Sequence, residues 1–146
     1  MVREIPVALE NGSASLDHAH RAILAGRSVV IFTEGQISPP DGSFWPAHTG
    51  AARLALRTGV PVVPVGIFLR RERGVCIKSK VGGKHSEGYW YLRGPYAMTI
   101  GEPMLFEGDI EDHQYVRHIT EAIMQQIRLL VHESERRMRP LKTVPA

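Results

Sequence analysis

Apolar residues along the first half of the chain occur in short runs separated by helical repeats. The runs at residues 4–9, 28–32 and 60–67 predict three strands. Between them, apolar residues recur every three or four positions over residues 16–24, and good helix formers fill residues 50–58. This order of strand, helix, strand, helix, strand is typical of a mainly parallel sheet with right-handed crossovers.

The second half of the chain predicts shorter strands and one long helix. Alternating residues predict strands at 74–80, 89–92 and 96–100, with a loop at 81–88. Apolar positions repeat with helical spacing over residues 112–137. We therefore expect one α/β domain over residues 1–146, with a mixed, mainly parallel central sheet flanked by helices and closed by the long C-terminal helix.

Small polar residues and glycines mark the ends of the two short helices. Ser13 or Ser15 is placed to cap the first helix, and Gly26 suits the position after its last turn. Gly59 is placed in the same way after the second helix.

Composition excludes several classes of protein. The chain has 146 residues, a net charge of +3 and one cysteine, so an internal disulfide framework is excluded. No stretch approaches the roughly 20 apolar residues of a membrane-spanning helix, and the N-terminus lacks the apolar core of a signal peptide. We expect a cytoplasmic protein, with a peripheral position at a membrane surface as the open alternative.

The candidate chemistry follows the apolar run at 29–32, where the chain continues Thr33-Glu34-Gly35-Gln36-Ile-Ser38. In open α/β sheets, ligands lie beyond the carboxyl ends of strands, and glycine permits close backbone approach to a ligand. We therefore predict a binding edge here. The alternative is structural: a carboxylate and a hydroxyl that cap a loop, and a glycine that only makes a turn.

A basic cluster surrounds the hairpin predicted after residue 74. Its members are Arg70, Arg71, Arg73, Lys78, Lys80 and Lys84, beside Tyr89, Trp90 and Tyr91. Such a cluster fits an anionic membrane surface or a nucleic acid, and it equally fits a solvated hairpin with its aromatic rings turned inward.

Other suggestive residues have simpler explanations. The helical histidines lack the spacing of metal ligands, so no metal site is predicted. Cys76 lies in an alternating strand and is interpreted as a small core residue.

Two segments together resemble the glycerolipid acyltransferases, the 1-acylglycerol-3-phosphate or lysophospholipid acyltransferase family. Residues 32–38, Phe-Thr-Glu-Gly-Gln-Ile-Ser, are similar to the family's Phe-Pro-Glu-Gly-Thr-Arg-Ser block. Residues 48–65 are similar to its next block, in which a Lys-x-Gly-Ala helix leads into a Val-Pro-Val-Val-Pro-Val strand. Residues 100–104 are similar to its closing Gly-x-Pro strand, so the resemblance covers roughly residues 4–130.

The resemblance implies acyl transfer from acyl-CoA or acyl carrier protein, as co-substrate, to the hydroxyl of a lysophospholipid, with no other cofactor. It places an acceptor site at residues Thr33, Glu34, Gly35, Gln36, Ser38, His48 and Gly50. It places the acyl-donor side at Val63 and Pro64. It implies lipid partners and no nucleic acid.

The sequence departs from the family at the residues that would carry catalysis. The family uses a His-x-x-x-x-Asp pair as general base and orienting acid, and no histidine here has an aspartate five positions later. The arginines expected to face a phosphate are replaced by Leu9 and Ile37, and His48 replaces the usual lysine. We expect the catalytic pair upstream of this chain, no catalytic residue within it, and an acceptor that need not be a phosphomonoester.

Three functions remain open at this point. The first is the distal part of an acyltransferase-like protein that is inactive alone. The second is a non-catalytic module that binds a lipid or a partner. The third is a basic nucleic-acid-binding domain. Missing N-terminal elements would leave apolar surface exposed near the first strands, and a homo-oligomer is one way to cover it.

Overall fold

The computed structural model describes residues 12–39, 41–81 and 84–139. The first helix, α1, spans Gly12–Leu24 and confirms the predicted helix. It ends as predicted at Gly26, which has a φ of 72° and donates its N–H to the Ile23 carbonyl at 2.9 Å. Its start is earlier than predicted, so Ser13 and Ser15 lie within the helix and the prediction that one of them caps it is wrong.

The apolar run at 28–32 is the main departure from the sequence prediction. It is irregular and forms no strand. Val30 is 84% exposed and Phe32 is 74% exposed, whereas a buried strand was predicted. A strand requires a neighbour for its backbone hydrogen bonds, and no described segment pairs with this run. The strand predicted at residues 4–9 lies outside the described residues.

The second helix, α2, spans Gly50–Thr58 as predicted. It ends at Gly59, which has a φ of 66° and donates its N–H to the Ala55 carbonyl at 2.8 Å. Its buried residues, Ala52, Leu54 and Ala55, lie on the side that packs between α1 and the C-terminal helix.

Four strands form two separate antiparallel pairs. β1 (Val65–Leu69) pairs with β4 (Tyr96–Ile100), and β2 (Val75–Val81) pairs with β3 (Lys84–Trp90). The predicted mainly parallel sheet is therefore not found in the described part of the chain. The run at 28–32, which was expected to be a strand of that sheet, pairs with no described segment. The predicted loop at 81–88 is also wrong in part, because β3 begins at Lys84.

The long C-terminal helix, α3, spans His113–Met138 and confirms the prediction for residues 112–137. Asp112 caps it by accepting the backbone N–H groups of Gln114 and Tyr115, both at 3.0 Å. Neither α3 nor another helix in the described ranges is long and apolar enough to span a membrane.

α3 lies unusually close to the β1–β4 sheet. A side chain on Gly66 would overlap backbone atoms of Leu130 and Val131. The buried Ser134 hydroxyl donates to the Gly66 carbonyl at 2.9 Å and lies 2.7 Å from the Thr99 hydroxyl. Glycine therefore permits a backbone approach that a buried hydroxyl pair then fixes.

The core lies between α2 and α3 and is formed by Ala52, Val116, Ile119 and Ile123, all nearly inaccessible to solvent. The other face of the β1–β4 sheet is bare: Ile67, Met98 and Ile100 are exposed there. Apolar surface is also exposed along residues 30–32. The first predicted strand, near which exposed apolar surface was expected, lies outside the described residues.

Candidate functional site

Residues 33–48 form a loop whose two ends are joined by a backbone hydrogen bond. The His48 N–H donates to the Thr33 carbonyl at 2.9 Å. The loop begins with a tight turn, in which the Gly35 N–H donates to the Phe32 carbonyl at 3.0 Å. The two sequence blocks that carry the acceptor residues are thus brought together, although 10 positions separate Ser38 from His48.

Glu34 holds this loop together from the inside. One of its carboxylate oxygens accepts the Ser38 hydroxyl at 2.7 Å, and the other accepts the Trp45 backbone N–H at 2.7 Å. The Trp45 indole N–H donates to the Ile37 carbonyl at 3.1 Å, which adds a third link across the loop. Glu34 is therefore a structural carboxylate of the loop, whatever else it binds.

Gly35 lies directly against the imidazole of His48. A side chain carbon added to Gly35 would lie 3.1 Å from His48 Cδ2 and 3.2 Å from Nε2, closer than ordinary contact. Gly35 also has a φ of 68°, which strains any residue with a side chain. Both the turn and the close approach therefore require glycine at this position.

Thr33 anchors the loop on the long helix. Its hydroxyl donates to the Met124 sulfur at 3.0 Å, and Met124 is buried on α3. Met124 and Trp45 were not identified as site residues from the sequence. No local signal points to Met124, because its partner lies 91 positions away.

The remaining acceptor-side residues do not all face the loop. Gln36 is exposed on it, and Ser38 is partly buried. Gly50 instead begins α2, where an added side chain would touch Leu16 of α1 at 3.4 Å. This is an ordinary van der Waals distance, so the packing of α1 on α2 does not require glycine at this position.

The donor-side residues belong to a different part of the fold. Pro64 is buried, and its carbonyl accepts the Gly101 N–H at 2.9 Å. Val62 pairs with Met104 on the same edge, whereas Val63 points to solvent. The proline-rich segment and the Gly-x-Pro segment thus lie side by side. Neither segment supplies the hydrogen bonds that Glu34 accepts, which come from Ser38 and Trp45.

Two shallow cavities lie elsewhere on the surface. A cavity of about 240 Å³ runs along α3 beside His132 and Glu133. A cavity of about 120 Å³ lies between α1 and α2 beside Asp17 and Arg57. Glu34 lines neither of these two cavities.

A surface ion pair borders the smaller cavity. The Arg57 guanidinium donates to the Asp17 carboxylate at 2.7 Å. This hydrogen bond, together with the charge of Arg57, lowers the pKa of Asp17 below its ordinary value. Across the described ranges, no group of three His, Cys, Asp or Glu side chains is placed to hold a metal ion.

The described residues form three helices and two antiparallel strand pairs, and a glutamate-glycine turn is closed against the start of α2. Residues 5–68 match the family model described as Acyltransferase. The match covers the Glu34 loop and α2 and ends inside β1, so this part of the chain is acyltransferase-like. Comparison with curated proteins and with solved structures gave no significant match.

Proposed function

We propose that the chain is the acceptor-side part of an acyltransferase that acts on a lysophospholipid, with acyl-CoA or acyl carrier protein as donor. The observation that carries this proposal is the closure of the Glu34 loop. The Thr33 carbonyl and the His48 N–H join the two blocks that resemble the glycerolipid enzymes, within the residues that match the family model.

The surroundings of the loop suit a lipid better than a small polar acceptor. Phe32 and Ile37 flank the Glu34 turn, and both are exposed. Covering exposed apolar side chains with an acyl chain removes them from water and lowers the free energy. The exposed amide of Gln36 and the ring of His48 supply hydrogen-bonding groups beside them for a hydroxyl or an ester.

The acceptor phosphate is the weaker part of the resemblance. A phosphate is best held by the planar fork of an arginine, and Ile37 stands where the family has one. We therefore propose an acceptor whose headgroup is not a free phosphomonoester. Titration with glycerol-3-phosphate tests this, because tight and saturable binding would contradict it.

The chemistry requires a base that this sequence does not supply in the family's pattern. In the family reaction the acceptor oxygen attacks the thioester carbonyl. The new C–O ester bond forms, the C–S bond breaks, and the hydroxyl proton passes through the base to the leaving thiolate. Since no histidine here has an aspartate five positions later, we propose that the chain alone does not turn over.

An acyl-transfer assay on the purified chain tests this point. Labelled acyl-CoA and a panel of lysolipids should yield no product above a heat-denatured control. Robust turnover would refute the inactivity and would show that another residue acts as the base.

Acceptor binding is tested separately from turnover. In a Trp90→Phe variant, Trp45 is the only indole left. Since Trp45 donates its backbone N–H to Glu34, its fluorescence then reports on the loop. Lysolipid below its micelle concentration should change that emission in a saturable way. Gln36→Ala and His48→Gln should weaken binding, and Glu107→Ala, an exposed carboxylate outside the loop, should leave it unchanged.

A non-catalytic binding module is the second candidate, and one observation favours it. Both carboxylate oxygens of Glu34 already accept hydrogen bonds from the loop itself. A module of this kind would bind lysolipid without any donor and would remain inactive after an upstream His-x-x-x-x-Asp segment is added. Activity restored by that segment would instead favour the divided enzyme.

A further inference from the structure

The β2–β3 hairpin projects from the rest of the fold. Among the described helices and strands, β2 and β3 pack only against each other. A hairpin of two strands is marginally stable in water by itself and usually needs a further surface to cover it. The hairpin also lies beyond residue 68, where the match to the acyltransferase model ends.

Four apolar side chains of the hairpin and its exit are exposed to solvent. Val75 lies directly opposite Trp90 across the strands, and Ile77 follows on the same face of β2. Trp90 is 54% exposed, and Leu92, just after β3, is 72% exposed. The opposite face of β2 carries Lys78, Lys80 and Cys76; Cys76 is exposed, so its interpretation as a core residue is wrong. One face of the hairpin therefore carries the apolar residues, and the other carries lysines, with Glu87 opposite Lys78.

The charge of this segment differs in sign from the rest of the chain. Residues 70–93 contain seven lysines and arginines against two glutamates, a formal charge of +5, and the whole chain carries +3. The other residues therefore carry −2. Glu87 lies opposite Lys78 in the register, and Glu72 lies in the short 3₁₀ turn Arg71–Arg73 that precedes the hairpin. Lysines and arginines therefore outnumber glutamates both in the turn that precedes the hairpin and along its two strands.

We propose that the β2–β3 hairpin is a docking surface for an anionic lipid bilayer. Lys and Arg side chains near such a surface are attracted to its negative potential, and Trp settles at the boundary between headgroups and acyl chains. Val75, Ile77 and Leu92 leave water at the same boundary. The apolar face enters this boundary, and the long stems of the lysines on the opposite face allow their charges to reach the headgroups.

Two other occupants fit the hairpin less well. A nucleic acid would use the positive charge and could stack a base on Trp90, but it offers nothing to exposed Val, Ile and Leu side chains. A second copy of the hairpin would bring together two segments of formal charge +5, which repel each other.

Sedimentation with lipid vesicles tests the proposal without any acyl donor or acceptor. Its result is therefore independent of whether the chain transfers acyl groups. The protein should partition onto vesicles of phosphatidylcholine mixed with phosphatidylglycerol, and far less onto phosphatidylcholine alone. Added salt should weaken the binding.

Matched variants locate the surface. Replacing Lys80 and Arg93 by Gln removes two positive charges from the hairpin region. Each cation near an anionic surface strengthens partitioning by roughly fivefold, so the double variant should partition about 30-fold more weakly. The control replaces Arg27 and Arg117 by Gln, which removes the same charge from exposed positions elsewhere. That control should partition like the unchanged protein.

A second pair of variants tests the apolar face. Trp90→Ser should weaken partitioning by roughly tenfold or more, whereas Leu105→Ser, at an equally exposed leucine outside the hairpin, should not. In the Trp45→Phe variant, Trp90 is the only indole left, and its emission should move to shorter wavelength when vesicles are added. Circular dichroism confirms that each variant is folded.

Several results would overturn the proposal. These are no partitioning onto anionic vesicles, equal losses in the hairpin and control variants, or an unchanged Trp90 emission on vesicles that do bind the protein. Salt-sensitive binding to an oligonucleotide without vesicle binding would assign the hairpin to nucleic acid. A concentration-dependent dimer without vesicle binding would assign it to a second copy.

Discussion

The arrangement of the Glu34 loop makes a direct prediction about its local stability. Glu34 accepts two hydrogen bonds, from the Ser38 hydroxyl and from the Trp45 backbone N–H. If the carboxylate organises the loop, its removal should open the loop without unfolding α2 or α3. Glu34→Ala removes both acceptors, and Glu34→Gln keeps one carbonyl oxygen in the same place.

The expected size follows from the two bonds. A hydrogen bond to a charged group contributes about 1.5–3 kcal/mol when buried and less when partly exposed, as here. We expect Glu34→Ala to lower the free energy of loop opening by about 2 kcal/mol and Glu34→Gln by about 1 kcal/mol. These values correspond to increases in amide exchange of roughly 30-fold and fivefold.

Hydrogen exchange followed by NMR measures this change at single amides. The Trp45 N–H should exchange faster in both variants, and the His48 N–H, which closes the loop on Thr33, should follow it. Amides in the middle of α3 should keep their protection. Glu107→Ala serves as the control, since this exposed carboxylate lies outside the loop.

Two outcomes would refute this reasoning. Unchanged Trp45 exchange in Glu34→Ala would show that the carboxylate does not hold the loop in solution. Equal losses of protection in the loop and in α3 would show global destabilisation instead.

Three further predictions concern the rest of the fold. Gly66→Ala should destabilise the protein by at least about 1–3 kcal/mol in urea unfolding, because the added Cβ would meet the backbone of α3. Gly12→Ala is the control: its Cβ has free space, so it should be nearly neutral. Equal effects of the two variants would contradict the close approach of α3 to Gly66. Ser134→Ala should cost about 1–3 kcal/mol in the same assay, since it leaves two buried polar groups without this partner, and a neutral result would contradict that account. Arg57→Met should raise the pKa of Asp17 toward its ordinary value in an NMR titration. Because the folded state lowers this pKa, the Asp17 carboxylate stabilises the protein above its unfolded pKa, and this stabilisation is lost as pH falls through the folded pKa. The variant lacks the pairing and should therefore lose less stability on acidification. An unchanged Asp17 titration would contradict the pairing.

The helices of this protein could be predicted from the sequence because their signals are local. The apolar repeat of α3 and the glycines after α1 and α2 act within a few residues of the positions they determine. The Glu34-Gly35 turn can also be recognised from residue types alone, whereas its role as an acceptor site stays a prediction. The hydrogen bond from the His48 N–H to the Thr33 carbonyl places the His48 block beside this turn.

The pairing of the strands was decided only in the tertiary structure. An apolar run such as 28–32 predicts a buried strand only if another segment is present to pair with it, and hydrogen-bonding partners are distant in sequence. The same holds for the antiparallel pairing of β1 with β4 and for the Thr33 contact with Met124, which lies 91 positions away. Local residue patterns therefore determined the helices and turns of this protein, whereas long-range pairing determined the β1–β4 sheet and the contact of Thr33 with α3.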